Sequence, residues 1–187
     1  MPIQRAKPRI ADLDQTPLTS IANTDLPTGS VLQVKQDVKT DPSTASGSGY
    51  VNYLSLDITP TAASSKFLIT CQLSISAIAR YHVTKLYRRV NSVDTEIATG
   101  DNGSNNSRTE CWMVTGTGEG TNKTYEQRNS FGSYLDSPNT TSTITYKVNV
   151  GVYAAHAYGI NRSHYGLDNS SWNSAPITNL TVMEIAG

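Results

Sequence analysis

Three histidines, His82, His156 and His164, and a scatter of carboxylates are the residues of this chain able to hold a metal ion or move a proton. A tetrahedral zinc site asks for two such ligands at short helical or strand spacing, completed by cysteine or carboxylate. His156 and His164 fall in a Tyr/Ala/Gly-rich stretch with Asp168 nearby, which is weak spacing for a site. No metal and no cofactor are expected. His82, two residues after Arg80, is expected on a sheet edge or an exposed face. Glu110, Glu119, Glu126, Asp136 and Asp168 could supply a carboxylate pair for glycoside hydrolysis, but they stand in polar stretches where solvated acids are expected. No Gly-x-Ser-x-Gly elbow is present. Gly116, Gly118 and Gly120 lack the downstream Lys-Ser/Thr and the strand-to-helix context of a phosphate loop, and read as a loop tip. No catalytic residue is assigned, and the chain is expected not to be an enzyme.

A different chemistry is better represented. Segments 101–108, 116–125 and 153–174 combine Asn, Ser and Gly with aromatic rings. Rings with adaptable amides and hydroxyls suit surface recognition: flat sugar faces stack on the former, and sugar hydroxyls bond to the latter. Tyr125, Tyr158, Tyr165 and Trp172 are the candidate ligand contacts. The competing reading is of ordinary solvated loops, with Trp172 plugging the core from one of them.

The elements that must carry these loops are strands. Phe67, Ile69, Cys71, Leu73 and Ile75 alternate with Leu68, Thr70, Gln72, Ser74 and Ser76, and Ile144, Tyr146, Val148, Val150 and Val152 with Thr145, Lys147, Asn149 and Gly151. Period-two alternation is the pattern of a half-buried strand. Further strands are expected at 29–34, 53–58, 81–90, 95–98, 109–114, 127–135 and 177–185. Asn91-Ser-Val-Asp94 is expected to be a hairpin turn. Asp136-Ser-Pro-Asn139 reads as a turn opened by Asp with Pro presetting φ. Residues 40–49 and 153–176 are expected to be irregular. With roughly eight to ten short strands and no long helical pattern, the fold class is all-β: an antiparallel β-sandwich, jelly-roll or knob-like.

Composition agrees. The 187 residues include 21 Ser, 23 Thr and 14 Asn, types that compete with helical hydrogen bonding and favour turns and strands. The formal net charge is zero and charged residues make up 16%, so no nucleic-acid footprint is expected. No run approaches membrane-spanning length and no secretory leader is visible, so no membrane insertion is expected. Cys71 lies in phase with core residues and Cys111 precedes Trp112 and Met113; both read as free, packed thiols. Residues 1–28 form a separate unit. Four prolines break it, while Ile3, Ile10 and Leu13 supply apolar anchors among Arg5, Lys7 and Arg9. An extended arm that orders on an assembly partner is expected there, ahead of a knob domain at 29–187.

An ordered set of motifs, Gly29-Ser-Val-Leu-Gln-Val34, Ile58-Thr-Pro-Thr-Ala-Ala-Ser-Ser-Lys66, Lys85-Leu-Tyr-Arg88, Tyr134-Leu-Asp-Ser-Pro-Asn-Thr-Thr-Ser142, Thr145-Tyr-Lys-Val148, Ile160-Asn-Arg-Ser163 and Leu180-Thr-Val-Met-Glu-Ile-Ala186, resembles virion proteins of tailed, cyanophage-like bacteriophages. Those proteins are usually described as tail-fibre or structural proteins. The resemblance covers residues 29–187 and implies a trimeric β knob in the virion, on the tail or capsid surface. The expected partners are copies of the chain itself, other virion proteins through residues 1–28, which lie outside the resemblance, and a host surface glycan or receptor. A capsid decoration or head-fibre role is the alternative, and a glycan-degrading tailspike the third reading.

Overall fold

The computed structural model describes residues 26–45, 49–77, 80–101, 111–117, 127–152, 158–163 and 174–187. Within them the chain forms eleven strands and no helix. In order these are β1 (Val31–Lys39), β2 (Ser43–Ala45), β3 (Gly49–Ile58), β4 (Lys66–Ala77), β5 (Arg80–Val90), β6 (Val93–Ile97), β7 (Met113–Thr117), β8 (Gln127–Asp136), β9 (Ile144–Val152), β10 (Tyr158–Ile160) and β11 (Thr178–Ile185).

The strands make two sheets, and every pairing is antiparallel. In the first sheet β4 is central, with β8 along one side and β11 and β10 end to end along the other; β1 lies outside β11, and β2 outside β10. The second sheet runs β3-β9-β5, with β6 and β7 both on the far side of β5. Four of the pairings are nested: β1 with β11, β3 with β9, β4 with β8, and β5 with β6. The outermost chain segments pair with each other and the innermost form a hairpin. That hairpin turns on two residues, Asn91 and Ser92, both at positive φ (49° and 66°). A turn with two left-handed residues matches the right-handed twist of the strands it joins.

The alternation read from the sequence is realised. Phe67, Ile69, Cys71, Leu73 and Ile75 of β4 and Ile144, Tyr146, Val148 and Val150 of β9 point inward and form one core with Leu54, Ile58, Leu86, Leu180 and Val182. Side chains from both sheets meet there, so the sheets pack face to face. Cys71 is buried and free, and burial pushes its thiol up to about 12; Cys111 is also free, but only half-buried.

Five expectations need correction. The stretch 40–49 contains β2, and 153–176 contains β10, each only three residues long. Strand β7 continues through Gly116 into the glycine run expected to be loop. His82 is fully buried, because it shares the inward phase of β5 with Thr84 and Leu86, and its ring packs edge-on to Tyr158 at 5.4 Å. Asp136 is not a solvated loop acid: it ends β8 on the inward side, next to Arg88 and Tyr146.

Candidate assembly and recognition faces

Back-to-back sheets leave two outward faces, and the polar residues buried between them fix how those faces are held. Three buried polar groups hold the sheets and loops together. Asp136 of the first sheet accepts hydrogen bonds from Arg88 Nη1 and from the Tyr146 hydroxyl, both 2.8 Å, across to the second sheet. Burial, then the Asp136 charge, drives the Tyr146 phenol well above its ordinary range, so it stays a donor. Glu184 stands in the inward phase of β11 with Leu180 and Val182 and is fully buried. Its carboxylate accepts from Gln33 Nε2 (2.5 Å) and from both the backbone N–H and the hydroxyl of Thr61 (2.7 Å each). Burial works to raise this carboxyl, but the neighbouring Ser65, Gln33 and Thr61 favour the charged form and bring it below the ordinary carboxylate value. Asn161, at φ 57° and fully buried, is the third group. Its Oδ1 accepts from Thr178 Oγ1 (2.7 Å), its Nδ2 donates to the Lys39 carbonyl (2.8 Å), and its N–H donates to the Ser74 carbonyl (3.2 Å). One amide thereby joins the end of β1 to β4 and β11. Beside the Glu184 cluster lies a cavity of about 370 Å³ lined by Leu26, Leu32, Thr61, Ala62, Ser65 and Ala186.

The outward face of the second sheet is charged. Arg89 donates to both oxygens of Asp94 (2.8 and 2.7 Å), and Lys147 Nζ reaches the same carboxylate at 3.1 Å. The hydrogen bond from Arg89 holds the Asp94 carboxyl below its ordinary value, against the opposing effect of burial and with help from Lys147. Lys85 pairs with Glu96 at 2.9 Å, Tyr87 donates to the same carboxylate at 3.2 Å, and the Lys85 ammonium sits 5.0 Å from the centre of the Tyr50 ring. That ring lies over Gly151, where an added Cβ would come within 2.7 Å of Tyr50 Cδ1.

The outward face of the first sheet has the opposite character. Registered pairing sets its residues in level rows. One row reads Val34–Met183–Leu68–Leu135 across β1, β11, β4 and β8; the next reads Gln36–Thr181–Thr70–Ser133; the third reads Val38–Asn179–Gln72–Phe131. None of these twelve residues is charged. Val34 is 55% exposed, Leu135 50% and Phe131 70%. Phe131 is one of only two phenylalanines in the chain, and the other, Phe67, is fully buried.

Of the four candidate ligand contacts, Tyr158 is placed, and it is placed inside. It is 2% exposed, in β10 between β4 and β2, with its ring against His82. Burial raises its phenol pKa. As placed, that ring serves packing and offers no face to a ligand in solution. Tyr125, Tyr165 and Trp172 lie outside the described residues, as do the arm residues Ile3, Arg5, Lys7, Arg9, Ile10 and Leu13. Among the described residues no group of three or more His, Cys, Asp or Glu side chains is placed to hold a metal ion. Sequence reasoning missed Glu184 and Asn161. A signal was present for Glu184, an acid in phase with Leu180 and Val182.

No protein-family model matches the chain, and no curated protein matches it. Solved structures of infectious bursal disease virus are similar at low identity. The Gx strain structure is 14% identical with a TM-score of 0.36, covering 91% of this chain and 43% of that one. The Gt strain structure is 11% identical with a TM-score of 0.39, at the same coverages. The VP2 subviral particle is 10% identical with a TM-score of 0.35, covering 82% and 38%. The chain spans less than half the length of each of these structures.

Proposed function

We propose that this protein is a virion structural protein of a tailed bacteriophage: a jelly-roll knob, on a tail fibre or otherwise on the tail, that attaches through residues 1–28 and contacts a host surface glycan or receptor. The nested pairing supports the jelly roll, since eight strands paired first with last and so inward are what rolling one long hairpin into two sheets produces. The observation that carries the structural role is the uncharged, partly apolar outward face of the first sheet. Exposed apolar surface of this kind marks a place where protein packs on protein. Self-association is the reading this face supports, and three copies are the form the resemblance to phage knobs implies. Tyr125, Tyr165 and Trp172 remain the ligand contacts of this reading, and no catalytic residue is assigned.

The test is localisation in intact particles by cryo-EM or gold-labelled antibody against the purified chain. Label at the tail, with adsorption to host cells blocked by the antibody, is the expected result. Label spread over the head would make the protein a capsid decoration unit and residues 1–28 its working part. Turnover of host polysaccharide abolished by replacing one acid would overturn the non-enzymatic reading.

A further inference from the structure

We infer that the outward face of the first sheet is covered by further copies of this same chain, arranged about a rotation axis that runs along the strands. The inference deepens the self-association in the proposed function by naming the surface and its register. It is independent of where in the particle the protein sits.

The argument starts from the three rows. An axis parallel to the strands keeps every row level, so each row meets its own equivalent in the neighbour. Val34 then faces Leu135 of the next copy, and Val38 faces Phe131. The apolar ends of the rows meet apolar ends, because both edges of the face carry them. In the middle row, Gln36, Thr181, Thr70 and Ser133 all both donate and accept hydrogen bonds. Such groups can pair with copies of themselves, whereas a charged row would be repelled by its own equivalent. Charge neutrality across all twelve positions is the electrostatic complement that a self-contact needs. A foreign partner carrying a charged patch would find nothing here to meet it.

Size points the same way. Four strands spaced ~4.8 Å apart, carrying three rows at two residues (~6.6 Å) each, give a plane of roughly 400 Å². Two such faces total about 800 Å², the size of a weak contact. A contact of that size forms reversibly and depends on concentration. Two copies can meet face on; three can meet with the β1–β11 half of each face against the β4–β8 half of the next. Both arrangements preserve the Val34–Leu135 and Val38–Phe131 contacts.

The test is sedimentation equilibrium of the full chain over a range of concentrations, followed by cross-linking. The wild-type chain should associate to dimer or trimer, and Phe131→Asp with Leu135→Asp should shift it to monomer at least 10-fold more readily. Because both side chains are half or more exposed, the folded state should survive; Phe131→Ser, a milder change, keeps the test valid if the double variant misfolds. Val93→Asp, at a 65% exposed position in the hairpin of the other sheet, should change nothing. In a Cys111→Ser background, Val34→Cys with Leu135→Cys should be joined between copies by a short bis-maleimide that reaches about 10 Å, the spacing of two packed sheets, while Val34→Cys with Phe131→Cys should not. Val34 and Leu135 of one chain stand three strand spacings apart, ~14 Å, too far to bridge internally. A monomeric wild-type chain would overturn the inference, as would an oligomer indifferent to the Phe131 and Leu135 changes. A Leu135→Cys thiol that reacts only after residues 1–25 are deleted would assign the face to the chain's own arm and overturn it too. Loss of tail localisation with the face contact intact would defeat the proposed function alone.

Discussion

The two outward faces of this molecule are built from the same backbone and differ almost entirely in charge. On the second sheet, Arg89, Asp94, Lys147, Lys85 and Glu96 pair across neighbouring strands, the Arg89–Asp94 pair exposed and the other three side chains partly buried. On the first, twelve level positions carry none. Exposed ion pairs contribute little to stability, so the charged face is explained better by solubility and by the exclusion of unwanted contacts than by folding energy. The uncharged face has no such protection. A sheet therefore need not have two equivalent sides: a face can be left available for association simply by withholding charge from it.

The largest loss should come from uncoupling the two sheets. Asp136→Ala would leave Arg88 and the Tyr146 hydroxyl buried without their shared acceptor, and should cost about 3–5 kcal/mol in urea denaturation. A loss near zero would show that the core, rather than this polar tie, holds the faces back to back. Asn161→Ala comes next. It removes a side chain that makes hydrogen bonds to Thr178 and to the Lys39 carbonyl, and it places Ala at φ 57°. About 2–3 kcal/mol is expected, with faster hydrogen exchange at the ends of β1 and β11.

Glu184 sharpens the comparison through pH. Its carboxyl pKa is lowered on folding, so its contribution is fully present above the ordinary value near 4.5 and is lost as pH falls through the lower folded value. Melting temperature of the wild type should fall through that window. Glu184→Gln should be less stable at pH 7 by about 1–3 kcal/mol and should flatten the acid limb, because a neutral amide has no proton to gain. An unchanged acid limb would remove Glu184 from the account. The smallest effect belongs to the charged face itself. Asp94→Asn should lower stability only slightly at low salt, and the difference should vanish at 1 M salt, where charges more than ~3 Å apart are screened. A large, salt-independent loss would mean that this network does structural work after all.

Much of the body was legible in the sequence because a half-buried strand writes its burial into every second residue. β4 and β9 alternate over their whole described length, and their inward residues are the core. The hairpin at 91–92 was legible from its turn residues, although the strand resumes at Val93, sooner than a four-residue turn implies. β10 was hidden because three residues, Tyr158-Gly-Ile160, are too few to show a period, and all three are buried. The same brevity misplaced Tyr158: a tyrosine among Ala, Gly and Asn looks like a recognition residue until a strand on each side covers it. His82 and Asp136 were misjudged because polar type was weighed above phase, and phase decided in both cases. The uncharged face could not be read at all from one strand at a time. Its rows exist only once register has set β1, β11, β4 and β8 level with one another, and no local window of sequence contains all four.

The nesting of the strands has a consequence in time. Because β1 pairs with β11, a strand formed from residues 31–39 waits for residues 178–185 before its partner exists. Every other pair is enclosed within that one, and the β5–β6 hairpin is the most local of them in sequence. Topologies dominated by such distant pairings fold in milliseconds to seconds rather than microseconds. During synthesis the first sheet cannot be completed until residues 178–185 have emerged, and its uncharged face is assembled at the same moment. The association proposed for that face is thereby deferred until that point.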